Sequence, residues 1–139
     1  MSYKIISKFI KDISFEIPDI KAFLMLEKEI TDYSLNFDIK SKPYKNNIIE
    51  VNTVLKISPG ANTKHKILAE ITSAALVSVE DNFEDKEELE KIILIKTPTE
   101  IYPTLYETFV YLFSQAGIKN IQIEKKVDFQ KLYNQKKNI

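Results

Sequence analysis

The sequence predicts an α+β fold: a four-stranded antiparallel sheet with a long crossover loop after the first strand, covered by two helices plus a short C-terminal helix. Three observations carry this. Three stretches in the first 60 residues alternate apolar and polar side chains at period two, and a fourth, long, apolar and partly β-branched, follows them. From Glu84 onward the apolar spacing becomes helical. The stretch joining the first and second strands is too long and too apolar for a hairpin turn.

The first strand is read from "KDISFEIP" (Lys11 to Pro18), with Ile13 and Phe15 on one face and Asp12, Ser14 and Glu16 on the other. Asp19 to Thr31 follows, with Phe23, Leu24, Met25 and Leu26 side by side, a run of neither period that suits a loop packed over the core. "YSLNFDIK" places Leu35, Phe37 and Ile39 inward, and Lys42 to Asn47 is turn chemistry. "IIEVNTVLKIS" points Ile49, Val51, Thr53, Leu55 and Ile57 inward, and a second turn is expected at Pro59 to Lys64. "HKILAEITSAALVSVE" is apolar enough for a strand buried at one end on both faces. Tight hairpins are expected between the last three strands.

The first helix is expected over Glu84 to Ile95, acidic at its start where the helix dipole favours negative charge. "TPTE" (Thr97 to Glu100) has the form of a capping box, with Thr97 as N-cap and Pro98 at the first helical position. The second helix runs on past Pro103, which bends rather than breaks it, and stops at Gly117. A short helix closes the pattern over Val127 to Gln135. The second helix carries two apolar stripes, Ile101, Leu105, Phe109 and Leu112 beside Tyr102, Tyr106 and Phe113. One stripe covers a sheet; the other faces either more of its own domain, another subunit, or a groove for foreign apolar segments.

Composition narrows the function. The 139 residues suit one domain over 1–139, and no apolar run approaches the ~20 residues a bilayer span needs, so a cytoplasmic protein without membrane insertion is expected. There is no cysteine, hence no disulfide or thiolate cluster. Twenty basic residues balance 20 acidic ones, and every basic residue is lysine; without a basic patch or a guanidinium fork, nucleic acid is not expected as a partner. A single histidine, His65, and two glycines, Gly60 and Gly117, offer neither a catalytic cluster nor a phosphate-cradling loop. No enzyme, cofactor or metal is expected, although a small-ligand carrier using the aromatic helix as a pocket wall is a competing reading.

In this order the elements resemble the SecB family of protein-export chaperones. The resemblance rests on "KDISFE" followed by proline, "LAEI" (Leu68 to Ile71), "IYPTLYETFVYLFSQAGI" and "VDFQKLY" (Val127 to Tyr133), and spans about residues 9–133. It implies a SecB-like, ATP-independent holdase, a homotetramer built as a dimer of dimers, which wraps unfolded preproteins in hydrophobic grooves and passes them to the SecA motor. The groove would take one wall from Phe23, Leu24, Met25 and Leu26 and the other from Tyr102, Tyr106, Phe109 and Phe113. The family's acidic sheet face for SecA maps to Asp12, Glu16, Leu68 and Glu70. The family's subunit contacts map to Leu89, Ile92 and Ile93 on the first helix and to Ile67, Ala69, Ile71 and Ser73 on the fourth strand.

Two departures accompany the match. The chain closes on "NQKKNI", short and basic, where typical members carry a flexible acidic or polar tail, and it has no tryptophan, where the family's crossover loop often holds one. The first of these motivates a second expectation within the family: a chaperone dedicated to one client, such as the antitoxin of a toxin–antitoxin system.

Overall fold

A computed structural model describes residues 2–61, 63–80, 85–119 and 121–137. Four strands form one antiparallel sheet: β1 (Tyr3–Glu16), β2 (Ser34–Lys45), β3 (Ile48–Ser58) and β4 (Leu68–Val79), in the order β1-β4-β3-β2. Helix α1 (Ile20–Glu29) lies between β1 and β2. After β4 come α2 (Lys86–Lys91), a π-helical turn (Ile92–Lys96), α3 (Thr97–Gln115) and α4 (Phe129–Lys137). The predicted α+β class and four antiparallel strands are both present.

The inward row of β3 is as the alternation dictates. Ile49, Val51, Thr53, Leu55 and Ile57 are all buried, with Leu55 at 0% exposure. They meet the buried row of β4, Ala69, Ile71, Ser73, Ala75 and Val77, and the buried face of α3, Ile101, Leu105, Phe109 and Phe113, in one core. Burial of β4 on both faces occurs mid-strand rather than at one end: Ala74, on the opposite face, is covered between its register partners Phe9 and Asn52.

Strand β1 is far longer than expected, beginning at Tyr3. Its pairing with β4 slips between Ile5 and Ser7 and again between Ile10 and Asp12. Each bulge shifts the inward parity by one, so the inward residues run Tyr3, Ile5, Lys8, Ile10, Ile13, Phe15, and the period-two pattern of Asp12 to Glu16 does not extend back through the rest of the strand.

The expected crossover loop is a helix. The Asp19 carboxylate accepts a hydrogen bond from the Ala22 amide at 2.7 Å, capping α1 directly after Pro18. Ala22 and Leu26, one helical turn apart, are buried, and Ile30 continues the stripe half-buried. The apolar run that suggested a loop is only partly in the core, since Leu24 points outward at 64% exposure.

Thr97 is not an N-cap. The helix passes through it: the Thr97 amide bonds to the Ile92 carbonyl, closing a π turn, and its side chain is fully buried with no partner for the hydroxyl. Pro98 explains the irregularity, since it has no N–H to offer the Leu94 carbonyl, and a wider turn accommodates the break. Helix α3 also continues through Pro103. Asp85, rather than a residue further upstream, caps α2 by accepting from the Glu88 amide at 3.0 Å; Glu84, the expected start, lies outside the described residues.

Of the two connections expected to be tight hairpins, one is. β2 and β3 pair as far as Lys45 and Ile48, leaving Asn46 and Asn47 as a two-residue turn with φ of 43° and 64°. The β3–β4 connection instead spans Pro59 to Ile67. It is held by the Tyr33 hydroxyl, which accepts from the Ile67 amide at 3.0 Å and donates to the His65 carbonyl at 3.4 Å.

Candidate functional site

Two apolar depressions open on the helical side of the molecule, and the same stretch of chain, from Gly117 to Lys136, borders both. The first, about 630 Å³, lies between α1 and the segment after α3, with Phe23, Leu24, Leu26 and Ile30 on one side and Ile118 and Ile121 on the other. The second, about 460 Å³, lies between β2 and α4, lined by Leu35, Phe37, Ile39, Leu94, Phe129 and Leu132.

Local structure fixes these walls. Helix α3 ends on Gly117, whose φ of 91° costs a residue without Cβ little. The Ile118 amide then bonds back to the Phe113 carbonyl at 2.9 Å, turning the chain toward α1. A Cβ on Gly117 would stand 3.4 Å from the Phe23 ring, so glycine also lets the two walls approach. Farther on, the Asp128 carboxylate accepts from the Lys131 amide at 3.0 Å and starts α4. This cap brings Phe129 onto Phe37, with ring centroids 5.2 Å apart, as the hinge of the second depression.

The residues expected to line one groove separate. Phe23, Leu24 and Leu26 line the first depression, although Leu26 is 3% exposed and contributes mostly to the core; Met25 is half-buried beside them. The aromatics of α3 do not form the opposite wall. Phe109 and Phe113 are fully buried, 5.2 Å apart, with Phe15 closing on Phe113 at 5.1 Å. Tyr102 is buried beneath Phe37 and Phe129, and only Tyr106 remains half-buried. The second apolar stripe of α3 is thus largely covered by its own chain, Tyr102 by β2 and α4 and Phe113 by Phe15 of β1. Burial is the largest cause holding the Tyr102 hydroxyl up at about 12, so it stays protonated, and it donates a hydrogen bond to the Glu124 carbonyl.

The acidic residues do come together. Register pairs Ser14 with Glu70, Glu16 with Leu68 and Asp12 with Thr72, which puts Asp12, Glu16, Leu68 and Glu70 on one end of the sheet face turned away from the helices. Asp12, Glu16 and Leu68 are exposed, and Glu70 is half-buried with Lys56 opposite it in β3. None of the three acids forms an ion pair among the described residues. Glu50, on the same face, contrasts with them. Lys11 Nζ lies 2.6 Å from its carboxylate and Asn52 donates at 2.7 Å, and these bonds hold its carboxyl below the usual glutamate value.

The residues expected at subunit contacts sit differently. Ile67, Ala69, Ile71 and Ser73 are buried inside this chain, so no side-chain surface of Ile71 is left for a neighbour. Ile92 is buried as well, whereas Leu89 and Ile93 are half-buried. Of the apolar residues left open on β1, sequence reasoning singled out Ile13 as part of an apolar face but missed Ile6, Phe9 and Ile10. The signal was a run of isoleucines and phenylalanine in residues 5–15, hidden by the two bulges.

Comparison with known proteins agrees with this architecture. The SecB family profile, described as preprotein translocase subunit SecB, matches residues 1–139. A provisionally named protein-export protein SecB of Pelagibacter ubique is 45% identical over 137 residues, covering 99% of this chain and 98% of the relative. The protein-export protein SecB of Anaplasma phagocytophilum is 26% identical, covering 91% and 87%. Among solved structures, a SecB-like chaperone of Mycobacterium tuberculosis, in complex with a ChAD peptide from an antitoxin, superposes with a TM-score of 0.65 at 14% identity, covering 88% of this chain and 89% of the other. Four strands in this order, a helical crossover, a broken long helix and a full-length profile match lead to one conclusion: the chain belongs to the SecB family of protein-export chaperones.

Proposed function

We propose that the chain is an ATP-independent holdase that binds unfolded preproteins in its two apolar depressions and delivers them to the SecA motor. The observation that carries this reading is the pair of open apolar depressions bordered by one continuous segment. An extended client stretch that covers a few hundred Å² of apolar surface gains roughly 5–8 kcal/mol at about 25 cal/mol per Å². Ordering the client offsets much of this, which leaves a weak, reversible and sequence-tolerant hold. Several such sites on one assembly tighten the hold through effective concentration. The apolar residues left open on the edge strand β1 support self-assembly, and a tetramer is the form proposed.

Delivery is assigned to the acidic end of the sheet, where Asp12 and Glu16 are exposed and Glu70 half-buried beside Leu68, none of the three in an ion pair among the described residues. Uncompensated charge on an exposed face suits rapid, salt-sensitive docking to a basic partner. The test is aggregation suppression on an unfolded client, together with SecA binding. Wild type should do both, and Asp12→Lys with Glu70→Lys should lose SecA while still suppressing aggregation. A protein that leaves aggregation untouched at a several-fold excess contradicts the holdase reading.

Service to one dedicated client, such as an antitoxin, is the second reading. Its support is the antitoxin peptide in the structural neighbour, a likeness that reaches only the fold. The 45% identity, over 99% of this chain, to a provisionally named protein-export protein favours the first.

A further inference from the structure

The end of the sheet that carries the docking acids is not flat. A shallow cleft of about 350 Å³ opens there, where β1 and β3 end and β4 begins. Pro18, Pro59 and Leu68 give it apolar surface, and Leu68 is 43% exposed. Four charged side chains line it, and their signs divide across the strands. Glu16 stands on β1 and Glu70 on β4, whereas Lys56 stands on β3 as the register partner of Glu70. Lys66 lies in the connection that leads into β4. Glu16, Lys56 and Lys66 are exposed and Glu70 is half-buried, and none of the four forms an ion pair among the described residues. The lining is neutral in sum, two acids against two lysines, and Asp12 stands outside it.

We propose that this cleft receives an apolar side chain of a partner polypeptide whose flanking residues carry both signs, basic toward Glu16 and Glu70 and acidic toward Lys56 and Lys66. The proposal deepens the delivery reading and rests on it. A uniformly basic segment is drawn by the two acids and repelled by the two lysines at the same place. A mixed segment gains at both. Like charges brought together reject a wrong partner, and opposite ones fix the orientation of the right one. The apolar residue between them adds burial against Leu68 and the two prolines. Each charge contact is exposed and weak, so the four together amount to about a fivefold preference at low salt. Screening removes it at high salt.

Three fluorescent peptides test this by anisotropy: one leucine flanked by lysines on one side and glutamates on the other, by lysines alone, or by glutamates alone. The mixed peptide should bind about fivefold tighter than the lysine peptide and the glutamate peptide weakest, with the difference lost in about 0.5 M salt. K56E with K66E should let the lysine peptide overtake the mixed one, and Leu68→Ser should weaken all three, with circular dichroism melts confirming that both variants fold. Purified SecA should compete with the mixed peptide and lose affinity for K56E with K66E. Equal binding of the mixed and lysine peptides, or tighter SecA binding to K56E with K66E, overturns the proposal and leaves delivery by the acids standing. Mixed-peptide binding that none of these substitutions alters lies elsewhere and overturns it too, as does saturation by none of the peptides while SecA still binds. SecA that fails to bind the wild-type chain removes the delivery reading and the proposal with it.

Discussion

The Tyr102 hydroxyl donates to the backbone carbonyl of Glu124, tying the buried face of α3 to the segment that borders both depressions. Tyr102 is 3% exposed, and its hydroxyl is held protonated up to about 12, mainly by burial. Tyr102→Phe should cost about 1 kcal/mol, the typical value of one hydrogen bond. Because the folded value lies above the ordinary 10, the tyrosine's contribution is whole below pH 10 and disappears as pH rises from there through about 12. Thermal melts across this range should show a steeper alkaline loss in wild type than in Tyr102→Phe. Parallel curves contradict the assignment.

Two neighbouring leucines of α1 separate binding from folding. Leu24 is 64% exposed at the rim of the first depression, and Leu26 is 3% exposed in the core. Leu24→Ser should weaken client binding several-fold with a melting change under about 0.5 kcal/mol. Leu26→Ala should destabilise by about 2–5 kcal/mol through the cavity it leaves. Client affinity by anisotropy and stability by urea titration distinguish them; equal effects of the two substitutions contradict the placement of α1.

Glu50 answers to acid. Its carboxyl is held below the usual value first by the Lys11 hydrogen bond and then by Asn52. A lowered folded value means the contribution is present above the ordinary glutamate range near pH 4.3 and fades as pH falls through the folded value. Lys11 reaches Glu50 from the bulge of β1, across the intervening β4, so Glu50→Gln should flatten the acid limb of the stability curve. An unchanged limb contradicts the contribution assigned to this pair.

Gly117 joins backbone and site. Gly117→Ala must adopt a positive φ and bring its Cβ to 3.4 Å from the Phe23 ring. A loss of roughly 1 kcal/mol is expected by urea titration, from the backbone strain alone. A neutral or stabilising effect contradicts the cap.

What the sequence reveals depends on whether backbone regularity survives. β3 reads correctly because it is a central strand without a bulge, and Ile49 to Ile57 alternate without interruption. β1 conceals eight residues of its length because extra residues near Ile6 and Lys11 change which parity faces inward. Thr97, Pro98 and Glu100 imitate a helix start, since a proline without an N–H suits a helix's first turn as well as the position after a π turn. In the sequence α1 reads as a loop, because the exposed Leu24 and half-buried Phe23 blur the stripe of Ala22, Leu26 and Ile30 that follows the Asp19 cap. The acidic face was legible because residues two apart in a strand share a side whatever their partner. The aromatics of α3 were misplaced at a groove wall for a different reason: only the tertiary fold places Phe37 and Phe129 over Tyr102.

The central claim is that unfolded polypeptide occupies the two depressions on the helical side. Hydrogen exchange of the protein, with and without a saturating unfolded preprotein, tests it most directly. Added protection should fall on residues 23–30, 117–121 and 129–136, with little on the sheet face that carries Asp12, Glu16 and Glu70. Protection confined to that sheet face, or none anywhere at saturation, contradicts the account.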